Sequence, residues 1–340
     1  MAPIAKKQKL LITYNRTRKS VSDKQDVDTI SEVSVQDEVD IVLKSAMQLG
    51  YIAETLPISA IGEVFNIIDL FKPNLIFNLC EGYQGKAQYE MHMASVWELL
   101  NIPYTGNTAL TLGIAQNKII SKRLFESKKI TTPSFQVFTS KPDHSYLNFP
   151  LIVKPSREDA SLGISVNAVV HNLNTLRSQV EIIIKKYKQP ALVETLIMGR
   201  ELNVSILDCP DPTVLAISEI DFSHLENRFP PITCYESKWL KNHPVFHQTP
   251  SICPAVLNTD LKMKIIDIAL QVYKILGCRD YARIDIRLDK MNHPYVLECN
   301  PNPDISEGSG YANAVKAFGM SYEDFIETVI QNTLKRINND

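Results

Sequence analysis

The stretch that decides how this chain is interpreted is YVLECNPNPDIS, residues 295–306. It begins as an apolar strand and ends with a glutamate, two asparagines, two prolines and an aspartate. A strand that simply enters a turn needs no exit that is both this rigid and this polar. Carboxylate and amide oxygens are the ligands that hard cations such as Mg²⁺ prefer. The stretch therefore raises the question of which cation these oxygens bind.

A second strand, YARIDIRLD, precedes this stretch and supplies a further carboxylate. Strand alternation places its side chains on two faces. One face carries Ala282, Ile284, Ile286 and Leu288, and the other carries Arg283, Asp285, Arg287 and Asp289. The short connection KMNHP predicts that the two strands pair as an antiparallel hairpin. The same alternation places Val296, Glu298 and Asn300 on one face, opposite Tyr295, Leu297 and Cys299.

In such a hairpin, Asp285 is expected to lie near Glu298 and Asn300. Two carboxylates and an amide, without histidine or cysteine, predict a site for Mg²⁺ or Mn²⁺ that phosphate oxygens and water complete. The alternative is a solvated polar face on which Arg283 and Arg287 are ion-pair partners. That alternative does not explain the Asn-Pro-Asn-Pro exit of the second strand.

Two lysines are candidates for binding phosphate if the metal accompanies a nucleotide. Lys154 ends the apolar strand PLIVKP, and Lys118 begins the helix in QNKIISKRLF. The turn SREDASLG could offer Ser161 and backbone N–H groups to phosphate oxygens. Taken singly, a lysine is usually a solvated surface group, and the position of Lys154 at the end of an apolar strand makes that alternative weaker for Lys154. No GxxxxGK[ST] motif occurs, which excludes a P-loop.

The chain as a whole has the composition of a soluble globular protein. Its 340 residues predict two or three subdomains, and 44% hydrophobic content with a net charge of −2 indicates neither a nucleic-acid nor a membrane partner. No run of about 18 apolar residues is present, and MAPIAKKQKL lacks the apolar core of a secretory signal. The six cysteines form no CxxC pair, so we expect a reducing, cytoplasmic environment.

The order of apolar segments predicts an α/β protein. Strands at LLITY and LIFNLC alternate with helices at 37–49 and 87–100, after a polar loop over 16–29, which predicts a parallel sheet. Short strands, a helix at 173–187 and a helix at 262–276 follow, with a last helix starting near Tyr322. The proline-rich segment at about 221–254 has little periodicity and predicts a lid. We expect an N-terminal domain over 1–116, a central subdomain over 117–191 and a C-terminal subdomain over 192–340.

Taken together, these segments resemble the D-alanine–D-alanine ligase family of the ATP-grasp superfamily. The likeness spans roughly residues 75–330, most of the chain. It is carried, in order, by IPYTG, the helix that begins at Lys118, LIVKPSREDASLGIS, LVETLIMGREL, YESKWL, LGCRDYARIDIRLD and YVLECNPNPDIS. The resemblance implies an N-terminal parallel α/β subdomain followed by two α+β subdomains that clamp ATP.

The resemblance also implies a role for each site residue, position by position. Phosphates would be bound by Lys118, Lys154 and Lys238, adenine by Glu194 and its neighbour Leu196, and ribose by Glu201. Two Mg²⁺ ions (or Mn²⁺) would be held by Asp285, Glu298 and Asn300. Catalysis would involve Arg283, Lys238 and Ser161, and the substrates would meet Ser309, Gly310, Asp304 and Trp239. The reaction would join a carboxylate to an amine through an acyl phosphate.

Departures from the family pattern concentrate in its substrate motifs. TYNRTRKS replaces the glycine pair after the first strand, and the EVS triplet at 32–34 echoes the family's glutamate for the donor amine. Asp159-Ala160-Ser161 replaces Gly-Ser-Ser, Trp239 replaces a tyrosine, and Asp304 replaces a glycine. We therefore expect a ligase for a different or broader set of amino acids or carboxylates. The resemblance also implies a homodimer, which is common in the family. The alternatives are a true D-alanine–D-alanine ligase, a catalytically inactive ATP-binding relative, or another ATP-grasp chemistry such as a carboxylase or phosphotransferase.

Overall fold

The first part of the fold is a three-stranded parallel sheet whose middle strand comes first in the chain. The computed structural model describes residues 8–16 and 28–337. Its first elements are β1 (Lys9–Asn15), α1 (Asp28–Gln48), β2 (Ile52–Ile58), α2 (Ile61–Phe71), β3 (Leu75–Leu79), α3 (Glu90–Leu99) and α4 (Ala109–Gln116). The predicted alternation of strands and helices around a parallel sheet is confirmed.

Three elements of this part, β2, α2 and α4, were not predicted from the sequence. Strand β2 lies at the sheet edge and only two of its seven residues are buried, so its apolar pattern is weak. Helix α2, which follows it, covers the sheet through the buried Val64 and Phe71. Helix α1 begins at Asp28, well before the predicted start at residue 37. Most of the polar segment 16–29, predicted to be a mobile loop, lies outside the described residues.

The second part is a four-stranded sheet with β7 between β4 and β5. Its elements are α5 (Lys118–Ser127), β4 (Phe135–Phe138), β5 (Leu151–Pro155), β6 (Val169–Val170), α6 (Leu173–Tyr187) and β7 (Ala191–Thr195). Helix α6 has its predicted bounds, since Asn172 caps its first turn and Leu176, Val180 and Ile183 pack on the sheet. The predicted limit of the central subdomain at residue 191 falls on the first residue of β7. By strand pairing, this sheet continues to Thr195.

The third part is a five-stranded antiparallel sheet in the order β10-β9-β8-β11-β12. Its elements are β8 (Gly199–Asp208), β9 (Pro212–Ile220), α7 (Tyr235–Trp239), α8 (Pro244–His247), β10 (Ser251–Ile252), α9 (Thr259–Ile275), β11 (Tyr281–Asp289), β12 (Pro294–Asn300), α10 (Gly310–Ala317) and α11 (Tyr322–Ile337). One face of the sheet packs on α9 through Leu261, Ile265, Ala269 and Val272. Part of the other face packs on α10 and α11, and the rest faces the cleft.

The segment predicted to be a loop at 221–254 contains short regular elements. It includes α7, α8 and β10, none of which is longer than five residues. Short helices of this length carry too few apolar positions to produce a readable period. Ile232, Cys234 and Val245 of this segment are buried against Ile152 and Leu196 of the central sheet.

Candidate active site

A large cavity of about 1200 Å³ lies where the three sheets face one another. The carboxyl ends of the parallel strands contribute Asn15, Ile58 and Glu81 to its wall. Ligands of α/β sheets commonly bind at the carboxyl ends of the strands, next to the position where the strand order reverses. The turn 157–162, the segment 232–239 and the hairpin of β11 and β12 complete the wall. The cavity is larger than many ligand pockets, so it has room for a nucleotide and further small substrates.

The floor of the cavity is the predicted hairpin. Asp285 pairs directly with Glu298, and Arg283 pairs with Asn300, so the predicted antiparallel pairing is confirmed. A bulge at Leu297 breaks the strict alternation, because Asp285 is opposite Glu298 whereas Ile286 is opposite Val296. Val296 is therefore fully buried in the core, and Leu297 lines the cavity. The prediction that Val296 shares the face of Glu298, with Leu297 packed on the other side, is wrong.

Asp285 is held in place by three side chains. Its Oδ1 accepts hydrogen bonds from Arg283 Nε at 2.8 Å and Asn203 Nδ2 at 2.7 Å. Its Oδ2 accepts from Arg283 Nη2 at 3.0 Å and Asn300 Nδ2 at 2.9 Å. The structure thus brings Asp285, Asn300 and Arg283 together. Sequence reasoning missed Asn203, although an amide among the apolar residues of ELNVSIL was a usable signal.

Glu298 is paired with Lys118. The two side chains lie 3.0 Å apart, between Glu298 Oε2 and Lys118 Nζ, and Lys118 also donates to the Glu158 carbonyl at 2.7 Å. Burial alone would raise the pKa of Glu298, but the charges of Lys118 and Lys154 outweigh it and lower that pKa to about 2. Glu298 is therefore ionised at neutral pH, as a cation ligand must be.

Glu194 lies between two lysines at the end of the cavity beside β5. Its Oε2 is 2.7 Å from Lys154 Nζ, and its Oε1 is in close contact with Lys122 Nζ. All three side chains are at least nine-tenths buried. Burial would raise the pKa of Glu194, yet the two ammonium groups hold it below its usual value. Lys122 was not predicted, although it lies one helical turn after Lys118 and so shares its face.

The remaining predicted nucleotide residues line the same cavity near β8. Glu201 accepts from Arg287 Nη1 at 3.2 Å, and Leu196 forms part of the adjoining wall. Arg287 is buried and also donates to the carbonyls of Gly199 and Pro231 at 3.0 Å and 2.8 Å. It thereby connects the sheet to Pro231, just before the segment 232–239.

The short helix α7 reaches over the cavity with Lys238 and Trp239. Burial lowers the pKa of Lys238, and the neighbouring charge of Arg283 lowers it further. Trp239 Nε1 donates to the carbonyl of Ala160 at 2.9 Å. Ala160 and Ser161, both on the cavity wall, have left-handed backbone angles with φ of 53° and 61°.

The far end of the cavity is formed by Asp304, Ser309 and Gly310. Asp304 accepts from the Ser306 backbone N–H at 2.8 Å, and Ser309 caps α10 by accepting from the Ala312 N–H at 3.1 Å. Behind Asp304 lies Glu38 of α1, which sequence reasoning missed. Burial and the negative charges of Glu81 and Asp304 raise the pKa of Glu38 well above its usual value. The side chains of the EVS triplet at 32–34 lie outside the described residues.

The donor set of the hairpin matches a hard cation that uses phosphate as a ligand. The described residues contain no group of three or more His, Cys, Asp or Glu side chains that could hold a metal alone. Asp285, Glu298 and the Asn300 amide supply oxygens that Mg²⁺ accepts, and Mg²⁺ usually relies on substrate phosphates and water for its other positions. The residues present therefore fit Mg²⁺ in the company of a nucleotide.

The fold is that of the ATP-grasp ligases. The D-alanine–D-alanine ligase of Bacillus anthracis, solved in complex with ATP, matches it with a TM-score of 0.77 at 21% identity, over 98% of this chain and 99% of that one. A family model described as "D-ala D-ala ligase C-terminus" matches residues 113–331. The chain therefore belongs to the D-alanine–D-alanine ligase family.

Sequence relatives agree with this assignment. The D-alanine–D-alanine ligase of Carboxydothermus hydrogenoformans is 28% identical over 302 residues, which cover 86% of this chain and 90% of the relative. An uncharacterized protein of Sinorhizobium fredii, y4sG, is 36% identical over 265 residues, or 77% of this chain and 75% of that protein. Within residues 8–16 and 28–337, no helix is both long and apolar enough to cross a membrane.

Proposed function

We propose that the protein is an ATP-dependent carboxylate–amine ligase that forms an amide bond through an acyl phosphate. One observation carries the proposal: a single cavity is lined by the cations and the oxygen ligands that this chemistry requires. They are Lys154, Lys238, Arg283, Asp285, Glu298 and Asn300. ATP would supply the phosphoryl group, and Mg²⁺ held by Asp285, Glu298 and Asn300 would offset the charge of its phosphates.

The reaction requires two substitutions, at phosphorus and then at carbon. A carboxylate oxygen of the donor attacks the γ-phosphorus and ADP leaves, which turns a poor electrophile into an acyl phosphate. The acceptor amine then attacks the acyl carbon, loses a proton, and inorganic phosphate leaves. Negative charge grows on phosphoryl oxygens in the first step and on the carbonyl oxygen in the second. Lys154, Lys238 and Arg283 would stabilise those charges because they are cations in a largely buried site.

The segment 232–239 would act as the lid. It covers the cavity with Lys238, and its buried apolar residues anchor it to the central sheet. An acyl phosphate is hydrolysed when water reaches it, so a cover that excludes water protects the intermediate. The division into residues 1–116, 117–191 and 192–340 remains a prediction, as does the homodimer.

We further propose that the substrates differ from a pair of D-alanines. The nucleotide-facing residues match the family pattern, whereas Ala160, Trp239 and Asp304 do not. Asp304 supports this part of the proposal because it adds a carboxylate next to Glu38, where the family has a glycine. Exclusive synthesis of D-alanyl-D-alanine would contradict it.

The experiment is an ADP-release assay with Mg·ATP and a panel of D- and L-amino acids, alone and in pairs, with product mass spectrometry. The expected result is ADP release that depends on the amino acid and equals the amide product in amount. A Glu298→Ala variant is the control for background hydrolysis. Mg·ATP binding without turnover on any substrate pair would instead support a catalytically inactive relative.

A further inference from the structure

The lid helix α7 is attached to the central part of the protein at three points. The Tyr235 N–H donates to the Ile164 carbonyl at 2.8 Å, and the Val166 N–H donates to Glu236 Oε1 at 3.4 Å. The third point is at the other end of the helix, where Trp239 Nε1 donates to the Ala160 carbonyl at 2.9 Å. The first two attachments hold the start of α7. The third joins its end to the turn 157–162.

The residues on both sides of the lid helix have apolar support that Trp239 itself lacks. Ile232 and Cys234, before α7, and Val245 of α8, after it, are almost fully buried in a cluster with Ile152 and Leu196. Trp239 is only partly buried and belongs to none of the described core clusters. The described contact that fixes Trp239 itself to the central part is therefore its indole hydrogen bond to the Ala160 carbonyl.

The partner of Trp239 is a turn with an unusual backbone. Ala160 and Ser161 both have positive φ, a conformation that is costly for residues other than glycine and needs support from its surroundings. Within the turn, the Leu162 N–H donates to the Asp159 carbonyl at 2.9 Å, and the Ile164 N–H donates to the Ser161 carbonyl at 3.0 Å. The indole N–H adds a contact from outside the turn, and it fixes the direction of the Ala160 carbonyl.

Lys238 immediately precedes Trp239 on the same short helix. Successive helical side chains point about 100° apart, so fixing Trp239 against the turn also fixes the direction of Lys238. Lys238 lines the cavity together with Arg283 and Ser161. A lid that releases Trp239 would therefore withdraw Lys238 from the cavity at the same time.

We propose that Trp239 is a positioning residue whose indole N–H fastens the lid to the Ala160 carbonyl and thereby holds Lys238 over the cavity. This role goes beyond the proposed amide-bond formation. Only the experiment on Mg·ADP release, described below, rests on the proposed function. It also differs from a role in binding the substrate, because the polar atom of the indole is already engaged by the protein. Lid closure is then coupled to the backbone of the turn rather than to a substrate side chain.

The test is hydrogen–deuterium exchange of the full-length protein, with Trp239→Phe as the main variant. Phenylalanine retains an aromatic ring and removes the N–H donor. Loss of a neutral hydrogen bond is expected to speed exchange of the α7 amides about fivefold through more frequent opening. The matched control is Trp97→Phe, since Trp97 is the only other tryptophan and also donates its N–H, to Asn78 Oδ1 at 3.1 Å. Trp97 lies in the N-terminal core, so its replacement should leave the lid amides unchanged.

A second variant separates the hydrogen bond from the strain of the turn. Ala160→Gly retains the carbonyl and adopts positive φ without cost, so the lid should stay as protected as in the native protein. Unchanged lid exchange in Trp239→Phe would overturn the proposal. Equal acceleration in Trp97→Phe or in Ala160→Gly would also overturn it, because the hydrogen bond would then not be the cause.

The nucleotide readout asks whether the lid retains its ligand. Trp239→Phe should release Mg·ADP about fivefold faster than the native protein in a stopped-flow displacement experiment. An unchanged release rate would count against the proposed role in the cavity. If the native protein does not bind Mg·ADP at all, the proposed function fails, and the exchange experiment still decides the role of Trp239.

Discussion

Replacing Glu194 by glutamine removes the negative charge at the centre of a buried network without changing its shape. Glu194 Oε2 lies 2.7 Å from Lys154 Nζ, and Glu194 Oε1 contacts Lys122 Nζ. The exposed fractions are 1% for the Glu194 and Lys122 side chains and 9% for that of Lys154. The substitution leaves two buried ammonium groups facing each other with their shared counter-charge removed.

The loss of stability in Glu194→Gln can be estimated from the cost of leaving a buried lysine without its carboxylate partner. Removing one partner of a buried ion pair costs about 3–5 kcal/mol. A lysine can limit this cost by losing its proton. Deprotonation costs about 1.4 kcal/mol for each pH unit below the normal lysine pKa of about 10.4. The cost is therefore about 4 kcal/mol at pH 7.5 and about 2 kcal/mol at pH 9. We therefore expect Glu194→Gln to lower the free energy of unfolding by about 3–4 kcal/mol at pH 7.5.

The pH dependence distinguishes charge from packing. In the variant, we expect the pKa of Lys122 to be lower in the folded than in the unfolded protein. Its penalty is thus fully present at low pH and shrinks as pH rises towards the unfolded pKa. Burial already lowers the pKa of Lys122 in the native protein. At pH 9 the loss should fall to about 2 kcal/mol.

Urea-induced unfolding of the native protein and the variant at the two pH values measures both quantities. The matched control is Glu181→Gln, whose carboxylate pairs at 2.6 Å with Lys185 on the exposed surface of α6. An exposed pair contributes little, so this control should unfold at the same urea concentration as the native protein. A loss below about 1 kcal/mol at pH 7.5, or one that does not shrink at pH 9, would refute the reasoning.

Three further predictions concern the cavity and the core. Glu298→Ala should lower amino-acid-dependent ADP release at least about 100-fold with an unchanged far-UV circular dichroism spectrum; retained turnover would contradict its role as a metal ligand. Asp304→Asn removes a negative charge that helps to raise the pKa of Glu38. A carboxyl with a raised pKa destabilises the fold only above its unfolded pKa, so the substitution should raise the melting temperature more at pH 8 than at pH 4.5. An equal shift at both pH values would contradict this prediction. Burial raises the pKa of Cys80 to about 12 and that of Cys234 to about 11, so iodoacetamide at pH 8 should modify both thiols only after unfolding, as judged by peptide mass spectrometry.

The hairpin was predictable because its signal is local. Ala282, Ile284, Ile286 and Leu288 alternate with charged residues, as predicted, and the structure buries all four fully. The bulge at Leu297 was not predictable, because an extra residue in one strand becomes visible only when its partner strand is known. The bulge changes the site, because Leu297 lines the cavity in place of Val296, which strict alternation would put there.

The charged partners in the cavity were predictable in type but not in pairing. Lys154 and Glu194 were both expected to bind the nucleotide, but the sequence does not show that they pair with each other. Asn203 and Glu38 were missed because each meets its partner only after distant elements pack. Asn203 donates to Asp285 from a neighbouring strand, and Glu38 accepts from the Ile305 N–H across more than 260 residues of chain.

The stretch that ends β12 divides the cavity into two electrostatic environments. On the side formed by β11 and β12 each carboxylate has a cation beside it, since Glu298 pairs with Lys118 and Asp285 pairs with Arg283. On the far side Asp304 faces Glu38, and burial with this negative neighbour raises the pKa of Glu38. A carboxyl of this kind keeps its proton at higher pH than an exposed one, so this end carries less negative charge than its composition suggests. Each carboxylate on the β11–β12 side thus has a cation partner, whereas the position where the family has a glycine places a second carboxylate beside Glu38.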